Sequence, residues 1–326
     1  MSGKLLDIRG LSVEFGPVRN PVRVVDDVSF AVRPGEAVGL VGESGSGKSI
    51  TALSVLRLVP EPPGRVSGHI LFEGTDLLPL PRSRMNAIRG KEISMVFQEP
   101  MSSLNPVMTI GEQVAEVLML HGETDRERRR ARVIELLGLV GVPDPQSRLS
   151  AYPHEFSGGM RQRVMIAIAV ACNPKLLIAD EPTTALDVTI QAQVLELMLD
   201  IRRRYKSAIL LISHDLGVIA EICERVVVMY AGRIVEDAGI RSLFAGPKHP
   251  YTQGLLKSVP TLFDDRRRLY QIPGSVPTPG SSRQGCSFRP RCPVALDRCA
   301  TETPPLIHHG AGHLAACWAI AAEDAA

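Results

Sequence analysis

Eight consecutive residues of this chain, Gly42-Glu43-Ser44-Gly45-Ser46-Gly47-Lys48-Ser49, have the types and spacing to hold a phosphate chain. The pattern is G-x-x-x-x-G-K-S. It follows the apolar run 37–41 and precedes residues 50–58, which read as a helix. Glycines let backbone N–H groups close around phosphate oxygens, and a helix N-terminus adds positive potential. Lys48 is placed to reach β- and γ-phosphates, and Ser49 to ligate Mg²⁺. The expected nucleotide-binding set is Gly42, Ser44, Gly45, Ser46, Gly47, Lys48, Ser49 and Ile50. Far downstream, Asp180 and Glu181 close the apolar run 176–179. A carboxylate at a strand end can hold Mg²⁺, directly or through water.

A second glycine-rich segment, Ser157-Gly158-Gly159, opens the apolar helical pattern 164–172. It too would direct N–H groups and a helix dipole outward. The same chain already owns a phosphate cradle, so this second surface must serve something else. Gln98 and His214 each follow a short apolar run, 93–97 and 208–212. Four of the six cysteines, Cys286, Cys292, Cys299 and Cys317, are spaced C-x5-C, C-x6-C and C-x17-C. Zinc fingers favour close ligand pairs, which this is not. Four thiolates suit one [4Fe–4S] cluster or one Zn²⁺, and metal-free thiols or a structural staple are the remaining readings.

These groups need elements to position them. Short β-branched runs ending at polar residues, in alternation with helical patterns, describe an open parallel α/β sheet. Residues 4–9, 23–32 and 69–72 read as a separate antiparallel sheet. Residues from about 100 to 170 read as mostly helical, interrupted by Gly141-Val142-Pro143-Asp144-Pro145. Beyond 245 proline and glycine become dense, as across 272–280, and helical periodicity fades. This divides the chain into 1–247 and a loop-rich extension, 248–326.

Bulk properties exclude other classes. With 37 basic and 35 acidic side chains the net charge is +2, which makes no electrostatic case for nucleic acid. Arg126-Glu127-Arg128-Arg129-Arg130 reads as a solvated helix face. The start lacks the apolar core of a signal peptide, and no run approaches the roughly 18 apolar residues of a membrane span. A cytosolic protein that reaches a membrane through partners is expected. Cys172 and Cys223 fall in apolar helical patterns and read as core residues.

The ordered set, phosphate loop, Phe156-Ser157-Gly158-Gly159-Met160-Arg161-Gln162, then Leu176-Leu177-Ile178-Ala179-Asp180-Glu181, resembles the ATP-binding cassette (ABC) ATPases. The motif here is F-S-G-G-M where the family has L-S-G-G-Q. The resemblance implies a P-loop NTPase fold with an antiparallel β subdomain and a helical subdomain. It implies Mg²⁺ held by Ser49, Gln98 and Asp180, Glu181 as general base, His214 as the γ-phosphate switch, and Phe15 stacked on adenine. Ser157, Gly158, Gly159 and Asp187 would face the ATP of an opposing subunit. His249-Pro250-Tyr251-Thr252 and Gly285-Cys286-Ser287-Phe288-Arg289-Pro290-Arg291-Cys292-Pro293 resemble the C-terminal extension of dipeptide, oligopeptide and nickel importers, for which an iron–sulfur cluster is the family expectation. The implied protein is an ATPase at the cytoplasmic face of the inner membrane. Its implied partners are a second, non-identical ATPase, two permease subunits and, indirectly, an external binding protein. Peptide is the expected cargo and a nickel chelate the alternative. A soluble ABC ATPase of DNA repair or translation would be expected to show coiled-coil heptads or a second cassette, and neither is present. A regulator that binds ATP without turnover is disfavoured by Lys48, Asp180 and Glu181.

Overall fold

A computed structural model describes residues 3–99, 103–184, 186–259, 270–278, 284–310 and 312–323. The expected opening of the helical insertion near residue 100 and the end of the proline–glycine run, 279–280, lie outside the described residues. The chain forms two compact units. The first comprises residues 1–3, 33–36 and 79–211, and the second residues 4–32, 37–78 and 212–326.

In the first unit the sheet runs from strand Ala208–Ser213, of which residues 208–211 belong to this unit, through Leu176–Asp180 to Ile93–Val96. Ile93–Val96 and Leu176–Asp180 pair in parallel, with Val96 opposite Ala179. Every residue of Ile93–Val96, Leu176–Asp180 and Ala208–Ser213 is buried, as continuous apolar runs covered on both faces require. Helices follow at Arg82–Ile88, Ile110–Leu120, Arg126–Leu139, Gly158–Val170 and Val188–Tyr205. A capping box fixes the start of Ile110–Leu120: the Thr109 side chain accepts from the Glu112 N–H, and Glu112 accepts from the Thr109 N–H. The basic run at 126–130 is a largely solvated helix start, as its interrupting acid implied. Gly158–Val170 buries Val164, Met165, Ile166, Ala167, Ala169 and Val170, so it is a core helix rather than an amphipathic one.

The second unit holds an antiparallel sheet in the order Val22–Val32, Leu6–Phe15, Gly64–Phe72, Thr75–Asp76. These strands are longer than their apolar patterns, because ladder bonds continue through polar residues that face solvent. The unit's other sheet runs Ile307–His308, Leu314–Ala315, Arg233–Gly239, Arg225–Tyr230, Ala37–Val41. Ala37–Val41 and Arg225–Tyr230 are parallel, and Arg225–Tyr230 and Arg233–Gly239 antiparallel.

Three sequence expectations shift, and one about a cysteine holds. The helix after the phosphate loop spans Lys48–Val55, starting earlier than residue 50 because Gly47 ends the loop. The helical pattern read over 164–172 belongs to a helix that starts at Gly158 and ends at Val170, which leaves Cys172 half-buried beyond it. Cys223, capping the end of Leu216–Ile222, is buried as the core residue expected. The extension opens on a helix, Pro250–Ser258, that composition did not announce. Pro250 sits in its first turn, where a missing N–H costs nothing, and His249 caps it.

Candidate active site

In the second unit, the phosphate loop links strand Ala37–Val41 to helix Lys48–Val55. Gly47 has φ of 100°, a left-handed conformation that costs glycine little. No side chain caps the helix it precedes. The Lys48 ammonium is folded back on the loop, donating to the Gly42 carbonyl at 2.7 Å and the Glu43 carbonyl at 3.1 Å. Lys48 and Ser46 are buried, and the Ser46 hydroxyl makes no hydrogen bond. A buried cation, an unpartnered hydroxyl and an uncapped helix start fit an anionic phosphate, which would satisfy all three.

His214 stands exposed just after strand Ala208–Ser213. The turn carrying it is tied at both ends: the Asp215 N–H donates to Ser213 Oγ at 2.9 Å, and Asp215 accepts from the Gly217 N–H at 2.7 Å. Phe15 ends its strand, paired with Val22 and Gly64. A Cβ added to Gly64 would stand 3.2 Å from Phe15 Cε1, so the half-buried ring lies across that glycine.

In the first unit, Asp180 is the buried last residue of its strand. Glu181 follows with φ of 46°, a conformation that non-glycine residues adopt at a cost. Its Oε2 accepts from Gln98 Nε2 at 3.1 Å and from Thr184 Oγ1 at 2.9 Å. The structure thus brings together Gln98 and Glu181, which are 83 residues apart. Thr184 was not singled out in the sequence; its signal was its place three residues after Glu181.

Ser157 caps helix Gly158–Val170 by accepting from the Met160 N–H at 3.3 Å. Ser157 and Gly158 are exposed, and a Cβ on Gly158 would meet open space. Gly159 differs, since a Cβ there would stand 2.7 Å from Ile190 Cγ2. Asp187 caps the helix carrying Ile190 and accepts the Ile190 N–H at 2.9 Å. Val188 beside it is 82 % exposed.

Two matching regions and the relatives decide the family. Residues 25–184 match the family described as ABC transporter, and residues 235–299 match the oligopeptide/dipeptide transporter C-terminal region. The chain is 52 % identical over 322 residues to the oligopeptide transport ATP-binding protein AppD of Bacillus subtilis, covering 98 % of each. It is 50 % identical over 303 residues to the dipeptide transport ATP-binding protein DppD of Escherichia coli, covering 93 % of this chain and 92 % of that one. The chain belongs to the ABC transporter ATPases. Among solved structures, a dimeric post-hydrolysis state of the ATP-binding cassette MJ0796 bound to ADP and phosphate superposes with a TM-score of 0.64 at 26 % identity, over 72 % of this chain and 99 % of that one. As an ABC ATPase the chain hydrolyses ATP, and Mg²⁺ is the metal expected with it. Among the described residues no helix is long and apolar enough to cross a membrane.

The C-terminal region of this ABC ATPase is fastened through a buried acid. Fully buried Glu236 accepts from the Lys248 N–H at 2.6 Å and the His249 N–H at 2.9 Å, and its Oε1 lies 2.6 Å from His313 Nε2. Sequence reading missed Glu236 and His313, which are ordinary polar residues until the strand Arg233–Gly239 faces the extension. His249 is wholly buried, which pushes its pKa down to about 3. The four late cysteines lie on this extension, two of them joined through the backbone. The Cys286 N–H donates to the Cys299 carbonyl at 2.9 Å, but among the described residues no group of three or more His, Cys, Asp or Glu is arranged to hold a metal ion. Burial pushes the Cys286, Cys292 and Cys317 thiols up, and neighbouring cysteines raise them further.

Proposed function

We propose that this ABC ATPase powers import of dipeptides and oligopeptides through a membrane transporter, as a peripheral subunit on the cytoplasmic face. The observation that carries it is the joining, in one chain, of the cassette with an oligopeptide/dipeptide-type C-terminal region along a full-length match. Residues 1–247 form the nucleotide-binding domain, with a helical subdomain at about 100–170, and 248–326 the extension. Residues 42–50 hold ATP, with Phe15 against adenine. Ser49, Gln98 and Asp180 are the residues that would hold Mg²⁺, and the ion would neutralise phosphate charge. Glu181 takes the proton of the attacking water, and its bonds to Gln98 and Thr184 support that role by fixing the carboxylate. His214 reads the γ-phosphate.

Ser157, Gly158, Gly159 and Asp187 face a second, non-identical cassette, a reading supported by the exposure of Ser157, Gly158 and Asp187 and by the open space over Gly158. Two permease subunits receive the motion, and an external binding protein supplies the cargo. For the late cysteines we propose a soft-metal site, [4Fe–4S] before Zn²⁺, supported by four thiols on one short segment, with the Cys286 N–H bonded to the Cys299 carbonyl. Co-purification from native membranes tests the whole reading. The expected result is recovery of two permeases, a second cassette and peptide-stimulated ATP turnover in the reconstituted complex. Recovery of the chain without any permease would overturn it.

A further inference from the structure

Among the described residues of the extension Arg291 is heavily engaged, and its main partner lies inside the phosphate loop. Nη1 donates to Glu43 Oε2 at 2.7 Å and Nη2 to Glu43 Oε1 at 3.0 Å, a two-pronged guanidinium–carboxylate pair. Nε donates to the Pro273 carbonyl at 2.9 Å and Nη2 to the Ile272 carbonyl at 3.2 Å. The side chain is 5 % exposed. Its guanidinium lies 5.8 Å from the Tyr230 ring centroid and 5.9 Å from that of Phe288. A second tie reaches the same loop residue. The Glu43 N–H donates to the Tyr251 hydroxyl at 2.8 Å. Tyr230, Tyr251 and Phe288 are buried against one another, with Tyr230 and Tyr251 centroids 4.7 Å apart and Tyr230 and Phe288 edge to face at 5.2 Å. The Tyr251 tie thus springs from a buried aromatic block, and the Arg291 tie is packed against it.

The chemistry of this arrangement is specific. A carboxylate in a loop that receives a triphosphate repels it. A buried guanidinium that takes both carboxylate oxygens offsets that charge and holds the acid to one side. Lys48 folds onto the carbonyl of the same residue, at 3.1 Å, so the position of Glu43 also bears on the phosphate-binding cation. We propose that Arg291, with Tyr251, is a positioning residue of the nucleotide site: the extension neutralises and pins Glu43, and thereby sets ATP affinity more than the rate of turnover. The proposal rests on the phosphate-loop reading of residues 42–49. It gives the extension a task at the nucleotide, independent of any metal on its cysteines.

The experiment measures Mg²⁺-ATP binding and steady-state hydrolysis by the full-length chain and its assembled transporter. Arg291→Met should weaken ATP binding by about tenfold or more, as removal of one member of a shielded ion pair does. KM for ATP should rise in step while kcat changes by less than about threefold. Arg291→Lys keeps charge but not the fork, and should fall between. The decisive arm is the double variant, Arg291→Met with Glu43→Gln. Removing the orphaned acid should restore most of the lost affinity, which a merely structural role for Arg291 would not give. Tyr251→Phe keeps the ring packing and removes the hydroxyl, and should weaken binding by a smaller factor at an unchanged melting temperature. If Arg291→Met fails to fold, Arg291→Lys and Tyr251→Phe decide in the same way. Affinity within about twofold of the unaltered protein in the Arg291 variants, beside a clear loss in Lys48→Ala, would overturn the proposal. So would a double variant no better than Arg291→Met. Unchanged binding in Lys48→Ala would instead remove the loop reading beneath it.

Discussion

Glu181 stands in a left-handed backbone conformation with two donors on one carboxylate oxygen. That cost is worth bearing where a carboxylate must be aimed. Glu181→Gln should keep Mg²⁺-ATP affinity and accumulate a closed, ATP-loaded assembly. Turnover should fall by about 10²–10⁴-fold, the usual contribution of a general base. Single-turnover hydrolysis in the assembled transporter checks this, and an unchanged rate rejects the role. His249 gives a stability prediction at the same scale. Its folded pKa of about 3 lies well below the ordinary histidine value. Between those values the unfolded chain takes up a proton that the folded chain refuses. Stability is therefore complete above about pH 6.5 and is lost as pH falls toward 3. At pH 5 the loss from this one group is about 2 kcal/mol. His249→Asn retains an acceptor for the Tyr251 N–H and should flatten the drop in melting temperature between pH 7.5 and 5. An identical drop in both proteins would exclude burial of a neutral histidine.

Helix Gly158–Val170 separates two glycines that sequence treats alike. Over Gly158 there is open space, whereas at Gly159 the Ile190 side chain fills the place of a Cβ. Gly158→Trp should therefore fold normally and bind ATP in the isolated chain, yet abolish turnover in the assembled transporter by blocking a partner cassette. Loss of ATP binding in the isolated variant would show that the loop serves its own chain. Gly159→Leu should instead lower the melting temperature, since crowding a packed contact costs about 1–3 kcal/mol. Ser157→Ala removes the side-chain cap on the Met160 N–H and should cost about 1 kcal/mol of stability. Chemical denaturation of the three variants distinguishes packing and capping from assembly.

For the molecule as a whole, the described residues hold the extension to the cassette residues of its unit by strand pairing of Leu314–Ala315 on Arg233–Gly239 and by three side-chain devices. These are Glu236 with His249 and His313, the Tyr230–Tyr251–Phe288 block, and Arg291 on Glu43. None uses a cysteine. Serine at Cys286, Cys292, Cys299 and Cys317 together should therefore abolish iron in anaerobically purified protein, if four thiolates hold a cluster, while ATP binding survives. Serine at Cys172 or Cys223 should leave iron content unchanged. Iron and zinc both at full content after the four replacements would refute the thiolate site.

The sequence by itself determined the family, the parallel strands and the position of each nucleotide motif. Those features are local: a glycine spacing, an apolar run and a polar residue at its end need only the chain's own order. It also placed the solvated face at 126–130 and the cassette's antiparallel strands, though with shorter bounds, because ladder hydrogen bonds do not depend on side-chain polarity. Tertiary structure alone decided which distant residues share a task. Gln98 and Glu181 meet only because Ile93–Val96 and Leu176–Asp180 are neighbours in one sheet. Glu43 and Arg291, 248 residues apart, meet only because the extension folds back on the phosphate loop. The difference between Gly158 and Gly159 is likewise set by Ile190 on another helix. A buried ion pair carries no period and no motif, so its partners stay invisible until packing removes the water between them.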